Sequence, residues 1–171
     1  MSDNNISADQ QFIIDELATY FDNDNWKYEY HEDNQVFTGE ISLDGPLSSV
    51  KFAMFADEDH AVCYHILPIT ARPKERPAQA EFLTRVNYNL AQGSFQLDFS
   101  DGEIRYKHRA SLADLRANSY ESISYLIGLG CSMIEQYSHG IVAISFGQSP
   151  EEAYLKCRSS IMDAEDDEDE D

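Results

Sequence analysis

Basic residues are scarce in this sequence. Twelve Lys and Arg stand against 32 Asp and Glu in 171 residues, a formal net charge of −20. Neutralising nucleic-acid phosphates takes clustered Lys and Arg, and docking on an anionic membrane surface takes the same. Neither is an expected partner. Long apolar runs are also missing, and none reaches the ~18 residues of a membrane-spanning helix. The opening stretch, MSDNNISADQ, is polar and acidic, unlike a secretory leader. Cysteine is sparse: Cys63, Cys131 and Cys157 are odd in number and far apart. They read as reduced thiols in a cytoplasmic protein, not as a disulfide framework. No phosphate-binding glycine loop occurs, because Gly128-Leu129-Gly130 has neither a third glycine nor a preceding strand. Asp22-Asn23-Asp24-Asn25 begins like a calcium loop, but it meets Trp26 and has no glycine. No cofactor is expected.

What is present is enough for a core. Hydrophobic residues make up 42% of the chain, which suits one domain of ordinary size. Residues 7–158 form the expected domain, after a flexible start over residues 1–6. Eight of the nine residues from Asp163 to Asp171 are acidic. Such a block repels itself and has nothing to bury, so residues 159–171 are expected to be a disordered acidic tail.

The periodicities predict an order of elements. Ser7 and Gln10 have capping-box spacing ahead of a helix to about Phe21, with Ile13, Leu17 and Tyr20 on one stripe. Trp26, Tyr28 and Tyr30 alternate in a first strand. Val36 to Leu43 forms a second, Val50-Phe52-Met54 marks a third and Val62-Tyr64-Ile66 a fourth. Short acidic turns between them predict an antiparallel meander. The proline-rich stretch from Leu67 to Pro77 reads as a crossing loop. A helix with Phe82, Leu83, Val86 and Leu90 on one side follows, ending at Gly93. A hairpin with Phe95, Leu97 and Phe99 in one strand and Ile104 and Tyr106 in the other turns at Asp101-Gly102. A polar linker then leads to N-cap candidates Asn118 and Ser119. From Tyr120 through Ile123, Ile127, Gly130, Ile134, Tyr137, Ile141 and Ile144, apolar positions recur every three or four residues over a helix of about 25 residues. A glycine inside a helix costs roughly 1 kcal/mol, so Gly128 and Gly130 point to close approach by another element. Ser149-Pro150-Glu151-Glu152 opens a short last helix. The expected class is α+β, two-layer, an antiparallel meander sheet with helices on one face in the order α-ββββ-α-ββ-α-α.

The text RPAQAEFLTRVNYNLAQGSFQLDFSDGEIRYKHRA, from Arg76 to Ala110, with SYESISYLIGLGCSMIEQYSHGIVAI after it, resembles the YbjN-like family of bacterial proteins over roughly Asp9 to Arg158. The resemblance implies a fold similar to class I type III secretion chaperones, often dimeric. It also implies a regulatory role in sensory transduction, with no catalytic residues to carry over. The acidic tail and the helix from Ser149 depart from the family pattern.

Several constellations bear on chemistry. His60, Cys63 and His65 are near in sequence, but alternation along a strand sets His60 opposite the other two. Val62, Tyr64 and Ile66 are expected to face the core, leaving Cys63 and His65 on the other side. No metal site and no thiol catalysis are expected. Charge is unevenly spread. Between Arg72 and Arg116 lie eight of the twelve basic residues and only six acids. Arg105, Lys107 and Arg109 alternate outward against Ile104 and Tyr106. They form either a solvated strand face or an electropositive patch that receives an acidic segment of a partner or of this chain. Trp26, Tyr28 and Tyr30 are either core against the first helix or a binding platform. These six residues are the candidate partner-binding set.

The expected function is a non-enzymatic, cytoplasmic protein-binding module, chaperone-like or regulatory, that holds a segment of a partner protein and forms a homodimer. The alternatives are a small-ligand sensor or enzyme built on Asn87, His108 and Arg109, and a purely structural homo-oligomer.

Overall fold

A computed structural model describes residues 6–158. The expectations for the two termini fall almost wholly outside the described residues. Helix α1 (Ala8–Asn23) opens with the expected capping box. The Gln10 main-chain N–H donates to Ser7 Oγ at 3.1 Å and the Ser7 N–H to Gln10 Oε1 at 3.0 Å. Strands β1 (Tyr28–His31), β2 (Val36–Ser42), β3 (Ser49–Asp57) and β4 (His60–Thr70) pair in sequence as an antiparallel meander. Helix α2 (Arg76–Asn87) crosses to the hairpin of β5 (Ser94–Leu97) and β6 (Glu103–Ser111). Strand β6 pairs with β4, so the six-stranded sheet runs β1-β2-β3-β4-β6-β5. Helix α3 (Leu112–Ser145) and a last helix over residues 150–158, here α4, complete the described chain. The α+β architecture matches the expected order.

Burial places the helices on one face of the sheet. Residues paired across strands share a face. One such row is Tyr28, Gly39, Phe52, His65, Tyr106 and Phe95, in which Phe52, His65, Tyr106 and Phe95 are buried. Two apolar clusters lie beneath the helices. One joins α1 and the first half of α3 to Phe37, Phe52 and Met54. The other joins α2, α4 and the second half of α3 to Val50, Leu67, Phe95 and Tyr106.

The structure departs from the sequence reading in several places, and helix α2 stops at Asn87, short of Gly93. Strand β4 runs on through Leu67, Pro68 and Ile69, which were expected to be loop. The register shifts between Ile66 and Thr70, and an irregular register is where a ladder accommodates proline. The inward face of β4 is Ala61, Cys63, His65 and Leu67, opposite to expectation. Strand β5 ends at Leu97, leaving Phe99 exposed in the turn. The stretch taken as a polar linker is helical from Leu112, capped by Ser111 and Asp114, and it buries Leu115. A break at Asn118 (φ −160°, ψ 93°) divides it from the long helix that follows. There the Glu121 N–H donates to Asn118 Oδ1 at 3.2 Å, the expected cap.

The Asp101-Gly102 turn forms as read. Gly102 has φ +89°, a conformation that disfavours other residues. Its carbonyl accepts from the Ala71 N–H at 2.8 Å, tying the end of β4 to the hairpin.

Candidate functional site

With the helices filling one face, the other face of the sheet is where the remaining side chains converge. Along the central strand β4, Tyr64 and Ile66 lie half-buried on this face, and Val62, on the same side, is buried among its neighbours. Each is flanked by its partners on β3 and β6: Val62 by Phe55 and Arg109, Tyr64 by Ala53 and Lys107, and Ile66 by Lys51 and Arg105. An apolar and aromatic ridge therefore runs beside the basic side chains of β6, with Lys51 the one basic neighbour on its β3 side. The Arg105 guanidinium lies 4.2 Å from the centre of the Tyr64 ring, and the Lys107 ammonium 5.5 Å from it. Cations over a ring face gain from its quadrupole. Arg105 is further held by Gln96 Oε1 at 2.9 Å and by Glu103 at 3.5 Å. Among the described residues, no carboxylate lies within ion-pair distance of Lys51, Lys107 or Arg109. Toward β1 the face opens into a shallow groove bordered by Lys27, Glu29, Thr38, Glu40, Lys51 and Ile66.

The six expected residues divide between the two sides of the sheet. Arg105, Lys107 and Arg109 lie together on the open face, as their alternation implied. Trp26 precedes β1 instead of beginning a strand. Its ring packs against Phe21 at 5.8 Å and Phe52 at 6.0 Å, on the helix side. Tyr28 stacks toward Phe21 at 5.2 Å and donates from its hydroxyl to Asp22 at 2.8 Å. Tyr30 is the most open of the three, 38% exposed, with its ring 4.6 Å from Phe37. Sequence reasoning missed Tyr64, Ile66, Phe55 and Lys51. The missing signal was the β4–β6 pairing, which sets the basic strand beside Tyr64 although α2 and β5 separate the two in sequence.

Cys63 and His65 share the helix face, with Sγ 3.5 Å from Nδ1. The contact has the reach of a nucleophile–base pair, but its electrostatics run the wrong way. Burial pushes the Cys63 thiol well up. Burial also brings His65 down to about 4, against a raising hydrogen bond with the Ile127 carbonyl. Both neutral forms are favoured, whereas a reactive pair needs the thiolate. His60 sits apart, its Nδ1 2.6 Å from the Asp59 carboxylate. No group of three metal-ligating side chains occurs among the described residues.

Of the residues marked for a small-ligand site, His108 and Arg109 meet at one depression and Asn87 stands apart. Asn87 clamps the main chain of Phe95, donating to its carbonyl at 2.9 Å and accepting from its N–H at 2.8 Å. His108 is buried against the Tyr125 ring and meets Gln92 Oε1 at 3.1 Å through Nε2, while its Nδ1 has no partner among the described residues. The open depression beside it, lined by Arg109, Asp114, Asn118, Glu121 and Tyr125, is polar but not enclosed. No described helix is long and apolar enough to cross a membrane.

Comparison with known proteins adds a family and a fold. The YbjN family model, described as "Putative bacterial sensory transduction regulator", matches residues 14–142. The match stops short of the last helix and the acidic C-terminus. No curated protein matches the sequence. A solved structure, "Crystal structure of YbjN, a putative transcription regulator from E. coli", aligns with a TM-score of 0.54 at 13% identity. The alignment covers 71% of this chain and 87% of that one. At that identity the likeness is one of fold.

Proposed function

Because this chain belongs to the YbjN family, we propose that it is a non-enzymatic regulatory protein that holds an extended segment of a partner protein across the open face of its sheet. One observation carries the reading. The Tyr64 ridge, with Arg105, Lys107 and Arg109 along its β6 side and Lys51 on β3, is an apolar surface with a cationic margin on a chain of net charge −20. Aromatic and Arg side chains are the residue types that anchor interfaces. The surrounding negative charge turns away polyanions such as nucleic acid, while the local cations select a segment with acidic side chains. The likeness to YbjN supports the fold and leaves the partner to be found.

Addition of a strand at a sheet edge is the weaker mode. The edge strands β1 and β5 have four residues each, too few for main-chain pairing to give much affinity. A second copy of the chain, the expected homodimer, takes a different surface. A two-fold contact centred on β6 sets Arg105, Lys107 and Arg109 against their own copies, which costs energy. The outer stripe of α3, with Tyr120, Tyr125 and Leu129 around the open space at Gly128, avoids that clash.

Paired captures from native cytosol test the reading, with the wild-type chain and a Lys107→Glu/Arg109→Glu variant as baits at moderate salt. A stoichiometric protein retained by the wild type and lost from the variant supports it. Equal retention by both baits overturns the placement of the partner on this face.

A further inference from the structure

The open face has a candidate occupant within the same chain. We infer that the acidic C-terminal segment, residues 159–171, lies on the basic half of this face and competes with the partner there. The inference rests on the proposed reading of the face and adds its regulation.

Three observations support it. The first is charge complementarity. Eight of the last nine residues are acidic, whereas Lys51, Lys107 and Arg109 have no carboxylate within ion-pair distance among the described residues. Arg105 has only the 3.5 Å contact with Glu103. Most other surface of this chain repels such a segment.

The second is position. Helix α4 is anchored by the Tyr154 hydroxyl, which accepts from Asn89 Nδ2 at 2.6 Å. Asn89 follows Asn87 by two residues, and Asn87 holds Phe95 in edge strand β5. Helix α4 is therefore tied to the connection that leads into edge strand β5. Strand β6, with Arg105, Lys107 and Arg109, is the next strand in from that edge.

The third is reach. Neighbouring strands are roughly 5 Å apart, and 13 residues extend to roughly 43 Å. The segment can pass the edge and still lie along β6. Tethering gives it an effective concentration on the order of millimolar, so a weak contact is populated within the chain while a tighter partner displaces it. The two-fold clash already described disfavours a second copy packed on β6 of the same face.

The test uses the full chain throughout. In one variant the eight acids from Asp163 to Asp171 become Asn or Gln. In a second, Lys107→Gln/Arg109→Gln removes charge without reversing it. Amide and arginine side-chain NMR spectra are compared, and a labelled synthetic peptide of residues 159–171 is titrated in at low salt. The expected result has two parts. Neutralising the segment shifts signals of Tyr64, Arg105, Lys107 and Arg109 and leaves α1 unchanged, and 0.5 M NaCl produces the same shifts in the wild type. The peptide then binds the tail-neutralised chain at least tenfold more tightly than the wild type, and the Lys107→Gln/Arg109→Gln chain poorly. Equal peptide affinity for wild-type and tail-neutralised chains overturns the intramolecular contact while leaving the face a receptor for acidic segments. Shifts that grow with protein concentration also overturn it, in favour of a tail reaching from another molecule. No binding to any chain overturns it as well, and the paired captures then decide the partner reading separately.

Discussion

The imidazole of His65 fills the space that a side chain at position 130 would occupy. On β4, His65 lies between Cys63, which belongs to the apolar cluster under α1, and Leu67, which belongs to the cluster under α2. On α3, Gly130 lies between Ile127 of the first cluster and Ile134 of the second. A buried polar ring and a missing side chain thus meet at the boundary between two halves of the core.

The two glycines of this helix should respond in opposite ways. Gly130→Ala forces a methyl group into the His65 ring and is expected to cost about 1–3 kcal/mol, as overpacking does. At Gly128 a methyl meets nothing within 4 Å, so Gly128→Ala should gain about 0.5–1 kcal/mol from helix propensity. Urea unfolding of both variants is the measurement. Loss of stability in both, or in neither, contradicts the packing described.

Acid should weaken the fold through the same histidine. An unfolded imidazole titrates near 6.5, whereas burial holds His65 at about 4. Between these values the unfolded chain binds the extra proton, so stability declines as pH falls from ~6.5 to ~4 and the contribution levels off below. The gap amounts to at most ~3 kcal/mol. Burial lowers His108 as well, in the same sense. Relief of charge repulsion on this acidic chain works in the other direction, so the wild type must be compared with His65→Gln. Unfolding free energies at pH 7 and 4.5 should diverge between the two, and parallel profiles count against the assignment.

Thiol chemistry should be slow in the native protein. Burial raises Cys63 well above the ordinary thiol range and Cys131 to about 11, and it raises Cys157 too. Labelling by a maleimide at pH 7.5 is expected to be slow until urea is added, when all three cysteines react. Rapid single-site modification of the folded chain revives a catalytic thiol.

Asn87 should matter for stability and not for ligand binding. Asn87→Ala leaves the Phe95 N–H and carbonyl without their side-chain partner, at an expected cost of about 1–3 kcal/mol. Calorimetric melting checks this, and an unchanged Tm refutes the clamp.

How much was readable from the sequence varied with the range of the signal. The Ser7–Gln10 and Asn118–Glu121 caps, the Asp101-Gly102 turn and the outward alternation of Arg105, Lys107 and Arg109 are local patterns, and they formed as read. The face of β4 was not local. Val62, Tyr64 and Ile66 are more apolar than Cys63 and His65, so hydropathy assigns them inward. A central strand has two partly covered faces, and the choice fell to a glycine on α3 that admits an imidazole. Trp26 was misplaced because the alternation extends back before the start of β1 to a residue that packs on Phe21 instead. The Tyr64–Arg105 contact stayed hidden because it depends on β6 inserting beside β4, which no local pattern records.

The divided core has a further consequence for how the molecule opens. Helix α3 runs through both clusters and contributes residues to each, like a beam over two bays with His65 and Gly130 at the joint. Stability can then be distributed unevenly along the molecule. Fraying of α1 empties one bay and leaves the α2 and α4 bay packed beneath the far half of α3. Amide exchange should therefore protect the two ends of α3 to different extents, with the step falling at residue 130. A regulator built this way could loosen one end while keeping the other folded.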